Sequence, residues 1–433
     1  MQKLSSWGRL SNEPHNVVEL GQALPLNAQI SGRQKAIAFG MGRSYGDVNL
    51  NPQGTVWRTT GLDRLIAFNE ESGLLECQAG VLLRDIQRLF IPRGWSLPVT
   101  PGTQMVTVGG AIANDIHGKN HYRYGCFGDH VRALTLVRTT GETIQCGPAS
   151  EPNWFYATVG GLGLTGLIAS AQIQLKKTLG PWLNTETIPY GSLPDFFKIA
   201  GESEKSWEHS VSWIDCLSGQ NSRGIFLRAN VTGDESTNRP TRAKTLTMPV
   251  VPPMSMVNSL TLKPFNALYF NINQFKAGQR RAHYESFFYP LDNISHWNRM
   301  YGPKGFYQYQ SVIPTASGEQ ATKDMLQVIS QSGQGSFLAV LKTFSERQSV
   351  GMLSFAQPGV TLALDFPNLG EKTLRLFDSL DAIVRQARGR IYAAKDARMP
   401  RALFEAGYPR LQEFSAFRDP GMSSALSRRL MGS

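Results

Sequence analysis

The chain has 433 residues, 41% of them hydrophobic and 18% charged, which places it among folded proteins with a sizeable core and excludes a disordered or fibrous chain. Its 44 Lys and Arg against 33 Asp and Glu leave a formal net charge of +11, which asks for an anionic partner. Nucleic acid is not the expected one, because the basic residues are dispersed into short pairs such as Lys176-Lys177 and Arg428-Arg429, without a zinc-finger, RNA-binding or basic-helix pattern.

Residues 34–39, QKAIAF, read as a strand that runs into a glycine loop, GMGRSYGD, at residues 40–47. Successive backbone N–H groups in such a turn form an anion-binding nest, to which Arg43 adds charge and Ser44 a donor. Residues 73–80, GLLECQAG, are a second strand. The period then changes: Leu82, Leu83, Ile86, Leu89 and Phe90 share a helical face, and Pro92-Arg93-Gly94 stops the helix. Residues 109–130, GGAIANDIHGKNHYRYGCFGDH, have almost no helical period, and glycine at that density means tight bending or close approach to a ligand. Residues 131–146 read as a hairpin around Thr140-Gly141-Glu142. GLGLTG at 161–166 matches the GxGxxG of Rossmann dinucleotide sites, but that fingerprint needs a helix to open at its third glycine. Here Ser170, Gln172 and Gln174 alternate with Ala169, Ala171 and Ile173, which marks a strand, so the Rossmann reading fails on context.

From about residue 181 long strands take over, at 209–219, 223–233, 305–314, 336–344 and 359–367, with amphipathic helices at 318–331 and 372–388. Residues 247–269 are apolar, proline-rich and without clear period, and read as a mobile lid that meets lipid or as a buried connection. The tail after Arg390 is dense in aromatic and basic residues and reads as a structured return to the first domain. The expected organisation is a cofactor domain at 1–180, a substrate domain at 181–388 and a returning segment at 389–433. Four cysteines without a CxxC pair read as reduced thiols, and no metal-ligand spacing appears. Residues 1–20 show no secretion signal, and no long apolar run follows, so a cytoplasmic protein is expected.

GMGRSYGD, followed further on by PGTQMVTVGGAIANDIHGKNH, resembles the FAD-binding domain of the vanillyl-alcohol oxidase family, of the p-cresol methylhydroxylase type. GCFGDHV, YQYQ, SFLAVLKTF, ALDFP and IYAAKDAR extend the resemblance in consistent order from about Leu10 to the C-terminus. It implies an α+β fold: a two-subdomain FAD-binding domain plus a substrate domain with an antiparallel sheet and flanking helices. It implies FAD-dependent oxidation of a sugar secondary hydroxyl, the 2-hydroxyl of a polyprenylphosphoryl-β-D-ribose-like substrate, to the 2-keto sugar. A separate NAD(P)H-dependent short-chain reductase would complete an epimerisation, and a lipid-linked phosphosugar suits a basic enzyme peripheral to the inner face of an anionic membrane. Two alternatives stay open: an oxygen-using oxidase of a soluble sugar, alditol or aldonolactone, and a non-enzymatic polyanion-binding protein.

Relatives that hold FAD covalently often read GxGHS, and Arg43 stands at the histidine position, so the resemblance implies non-covalent FAD. It places Gly40, Met41, Gly42, Arg43, Ser44 and Tyr45 of the first loop against the cofactor, with Gly102 and Thr103. Gly109, Gly110, Ala113, Asn114, His117, Gly118 and Gly125 follow from the glycine-rich stretch, then Gly163, Ile168 and Tyr392. Lys395 is the first choice for catalysis, able to stabilise negative charge on the flavin, and His117 is the second. His121 and His130 read as structural. Lys119, Trp213, Gln308, Gln310, Lys342, Phe344, Ala363 and Lys395 are the substrate-side residues. Gln308 and Gln310 alternate along a strand and share a face, with Tyr307 and Tyr309 on the other, and Lys342 shares a face with Phe344. Two departures affect sugar recognition and trapping: Ala363 stands where a mycobacterial member carries cysteine, and Thr361 where asparagine is expected.

Overall fold

The structure is a computed structural model that describes residues 1–30, 34–219, 222–233 and 246–432. Three sheets organise it. The first has the order Gln2–Lys3, Pro14–Glu19, Thr55–Arg58, Ala36–Phe39, and Thr55–Arg58 runs parallel to both neighbours. The parallel pairing was not visible in the sequence, where only Ala36–Phe39 stood out. The second is antiparallel, in the order Leu65–Asn69, Leu74–Gln78, Leu167–Gln174, Val131–Val137, Thr143–Cys146. The expected hairpin therefore forms one side of it, and GLGLTG leads into Leu167–Gln174 as a strand. The helix Leu83–Phe90 ends in a 3₁₀ turn, Ile91–Arg93, closed by Gly94 at φ 79°.

The third sheet has eight antiparallel strands, in the order Gly278–His283, Trp182–Tyr190, Gly224–Thr232, His209–Ile214, Ala339–Phe344, Gly359–Pro367, Phe306–Pro314, Arg390–Ile391. Helices Leu193–Glu204, Thr315–Ser332 and Glu371–Gln386 cover one of its faces. Strand alternation explains why only one face is apolar. Val360, Leu362, Leu364 and Phe366 point to the helices and join Met325, Ile329 and Phe377 in the main core. Each such side chain contributes roughly 1.5–3 kcal/mol on burial. Tyr307 and Tyr309 also face the helices, where the Tyr309 hydroxyl donates to Asp381 at 3.0 Å. The opposite face carries Thr361, Ala363 and Asp365, with Gln308, Gln310 and Lys342 beside them, and it walls a cleft. Register sets the neighbours: Gln308 lies opposite Asp365, Gln310 opposite Ala363, and Lys342 opposite Thr361.

Residues 247–269 correct the sequence reading. They enter a 17-residue helix, Ser259–Phe275, capped by Asn258, whose side chain accepts from the Leu260 and Thr261 N–H groups. The helix escaped notice because it is apolar nearly all round and holds Pro264 in its interior, which blurs the period. Beyond Arg390–Ile391, the tail folds onto the two small sheets. The Ala36 N–H donates to the Gly421 carbonyl at 2.8 Å, the Ser423 N–H donates to the Ala36 carbonyl at 2.8 Å, and Asp419 accepts from the Thr139 N–H at 2.8 Å. Arg429 pairs with Asp47 at 2.9 Å and with Asp396 at 3.0 Å, tying the tail to the first glycine loop. All four cysteines are buried and unpaired.

Candidate active site

A cleft of about 670 Å³ runs between the two small sheets and the exposed face of the large one. Its size falls in the usual range for ligand sites, on the order of 300–1,000 Å³. One end is built of backbone. Residues 40–45 line it, and no N–H between residues 40 and 46 donates to another group among the described residues. Polar groups left without partners in a buried wall await a ligand. Arg43 stacks on the Trp7 ring at 4.1 Å and keeps a buried Nε with no partner. Gln104 Oε1 and Asn114 Oδ1 are buried and unpartnered as well. Gly102 and Thr103 face this stretch of wall, with open space where a Gly102 side chain would stand. Free N–H donors, an arginine and amide acceptors together fit the phosphates and polar rim of a dinucleotide.

Gly109, Gly110, Ala113, Asn114, His117, Gly118, Gly163 and Ile168 line the middle of the cleft. Helix Val108–Ala113 is capped by Thr107, whose Oγ1 accepts from the Gly110 N–H at 3.2 Å. The loop that follows is pinned by Asp115, which accepts from the Gly128 N–H at 2.8 Å and from Ser354 Oγ at 2.5 Å. Burial of Asp115 pushes its pKa up to about 7.

His117 meets the substrate sheet. Gln310 Nε2 donates to His117 Nε2 at 3.1 Å and to Thr361 Oγ1 at 3.2 Å. That bond places the imidazole proton on Nδ1, which is buried and without a partner among the described residues. Burial, with Lys342, His121 and Lys395 adding like charge, holds His117 well below the usual histidine range, so the ring is neutral. Tyr392 backs it at 5.4 Å between ring centres and donates through its hydroxyl to the Asn114 carbonyl at 2.9 Å.

The sheet end concentrates charge. Lys395 lies over the Tyr45 ring at 3.9 Å, and its pKa is lowered by burial, with Asp365 opposing the shift. Asp365 is raised by burial; its Oδ1 accepts from Gln308 Nε2 at 2.6 Å, and its buried Oδ2 has no partner. Lys342 donates from Nζ to the Gly118 carbonyl at 3.1 Å, and burial lowers it to about 8. Lys119 donates to the Phe287 carbonyl and is lowered to about 7, first by burial and then by Lys342. Trp213 lines the same wall, its Nε1 donating to the Phe337 carbonyl at 2.9 Å. Ala363 also faces in.

Two expected site residues stand outside the cleft. Gly125, at φ 68°, ends the one-turn helix His121–Tyr124, and a side chain there would meet Asp129 Oδ2 at 2.3 Å. Phe344 lies behind the wall, packed on His117 at 5.0 Å and on His121 at 4.2 Å. Among the cleft residues not singled out in the sequence are two carboxylates, Asp365 and Asp292. Asp365 was signalled, since it lies on the same strand face as Ala363, two residues on. Asp292, which accepts from the Gln104 N–H at 2.9 Å, sits in a stretch with no pattern to mark it.

The comparisons agree with this geometry. Residues 21–147 match a model described as an FAD binding domain. The chain is 34% identical over 455 residues, 99% of its own length and 97% of the relative's, to decaprenylphosphoryl-beta-D-ribose oxidase of Mycolicibacterium smegmatis. The chain belongs to this family of FAD-linked oxidases. Partial matches include D-lactate dehydrogenase of Anaerostipes hadrus, 31% identical over 148 residues (33% of this chain, 31% of the relative). Another is L-gulonolactone oxidase of Scyliorhinus torazame, 28% identical over 162 residues (37% of this chain, 36% of the relative). This oxidase is thus an FAD-dependent oxidoreductase acting on a CH–OH group, in an α+β fold. Among its described residues no helix is long and apolar enough to cross a membrane.

Proposed function

We propose that this oxidase converts the 2-hydroxyl of a polyprenylphosphoryl-β-D-ribose-like substrate to the 2-keto sugar, with non-covalent FAD held between its two small sheets. The observation that carries the substrate class is the charge balance at the sheet end of the cleft. Lys119, Lys342 and Lys395 are lowered by burial there, with Asp365 as the opposing carboxylate. Buried amines in excess of carboxylates suit an anionic ligand, which offsets the burial cost of their charged forms, and a sugar phosphate supplies one. Lys342, on the strand face that looks into the cleft, is the phosphate-side cation. Gln308 and Asp365 line the cleft beside Lys395, and their polar side chains suit the hydroxyls of a sugar.

Bound FAD supplies the hydride acceptor. Lys395 Nζ takes the proton of the reacting hydroxyl, its uncharged form favoured by burial, and Asp365 sets its charge state. Neutral His117 lines the cleft beside Gln310, with Phe344 and Phe355 packed against its ring. A separate NAD(P)H-dependent reductase is the partner that would return the ketone to an alcohol of inverted configuration.

The test is an anaerobic visible spectrum before and after adding a polyprenylphosphoryl pentose. Bleaching by the lipid-linked sugar, and not by free pentose or alditols, is expected. A yellow protein that ignores the lipid-linked sugar but bleaches with a soluble polyol or lactone would transfer the substrate to that class.

A further inference from the structure

Seventeen large hydrophobic side chains are exposed among the described residues, and ten of them fall between Leu246 and Phe275. An apolar concentration of this kind on a soluble fold marks a surface that something covers. The helix Ser259–Phe275 shows how it is built. Leu262 and Asn266 face inward, Asn266 donating to Asp215 at 2.8 Å, while Tyr269 packs on Trp213 at 4.7 Å. That inner face is packed against the fold. On the opposite side, Leu260 (84% exposed), Leu268 (60%), Ile272 (42%) and Phe275 (92%) recur at helical spacing. No packing among the described residues accounts for them. Met254, 73% exposed, precedes the helix and extends the same apolar segment.

Charge identifies the occupant. Residues 246–284 hold four basic residues, Lys263, Lys276, Arg280 and Arg281, and no Asp or Glu. Lys263, Lys276 and Arg280 are exposed. An apolar stripe flanked only by positive charge matches the interface of an anionic bilayer, where apolar side chains enter the acyl boundary and cations meet headgroups. A protein partner of the usual mixed surface would meet both signs of charge.

We infer that the outer face of Ser259–Phe275, with the apolar loop before it, is a docking surface for an anionic lipid bilayer. The same helix walls the cleft through Tyr269, so docking brings the cleft against the membrane. This agrees with the lipid-linked substrate proposed above but does not depend on it.

The test is flotation of the FAD-loaded full chain with vesicles of phosphatidylglycerol and phosphatidylcholine, against phosphatidylcholine alone. Binding to the anionic vesicles, weakened by salt, is expected. The combined variant Leu260→Ser, Leu268→Ser, Phe275→Ser should retain bound FAD, since these side chains face solvent, and should bind at least about tenfold more weakly. Lys263→Glu with Lys276→Glu should abolish the preference for anionic lipid. Leu65→Ser with Ile66→Ser, at an exposed apolar pair elsewhere, should bind as the native chain does. The inference is overturned if the native chain stays in the buffer at low salt, or if the triple variant floats equally well. It is also overturned if the patch instead joins two copies, seen as a dimer that sediments as a monomer once the three serines are present. Vesicle binding and flavin bleaching are separate readouts, so failure of either leaves the other standing.

Discussion

Lys395 and Lys342 carry different parts of the proposed chemistry, and their surroundings separate them. Lys395 sits over Tyr45 and is lowered by burial, with Asp365 opposing the shift, which suits the base role proposed for it. Lys395→Met should leave FAD bound and slow its anaerobic reduction by the lipid-linked sugar by about 10²–10⁴-fold, the usual contribution of a positioned general base. An unchanged rate in a stopped-flow trace would remove Lys395 from the chemistry. Lys342 is lowered to about 8 by burial. Below that pH its Nζ is protonated and attracts phosphate; above it the charge is lost. Lys395 is also lowered to about 8 and gains its base form over the same range, so kcat/KM of the free enzyme towards a phosphosugar should peak near pH 8, and the falling inflection should vanish in Lys342→Met. A profile that keeps the inflection without Lys342 would move the phosphate elsewhere.

At the level of elements, the sequence marked what obeys a simple period and missed what does not. Phe306–Pro314, Ala339–Phe344 and Gly359–Pro367 were legible because one face meets helices and the other a polar cleft, so their residues alternate. Gln308, Gln310 and Lys342 followed from the same alternation. Ser259–Phe275 was illegible as a helix because both of its sides are apolar. Gly125 was misplaced because motif membership says nothing about which side of a loop a residue faces, and Phe344 because it ends its strand, where it packs on His117 and His121 instead of lining the cleft. The first glycine loop shows a requirement that only the fold reveals. A Cβ at Gly46 would stand 1.6 Å from the Asp396 carbonyl oxygen in the tail. Gly46→Ala must push loop and tail apart, at a cost of about 1–3 kcal/mol or more. The expected result is a lowered Tm and loss of FAD on gel filtration; a variant that keeps both would show that the loop adjusts freely.

Across the whole molecule, three sheets surround one cleft, and each supplies a different kind of contact. The first gives free backbone donors, the second glycine-rich close approach, and the third side-chain amides and lysines. The net charge of +11, read from the sequence as a call for an anionic partner, resolves into buried cations in the cleft and a carboxylate-free stretch beside it. What the composition left unsaid is where those charges meet, because that depends on strand order rather than on neighbours in the chain.

The first sheet is completed by residues from the far end of the chain. Ala36 exchanges backbone hydrogen bonds with Gly421 and Ser423, which seal the strand Ala36–Phe39. While the chain is being made on the ribosome, that strand edge emerges early and stays open until residues 421–423 have followed. An open edge is a template for unwanted pairing between nascent chains. Messages cut short before codon 421 would thus yield products that lack the seal, which makes them sticky clients for chaperones and proteases rather than partial oxidases.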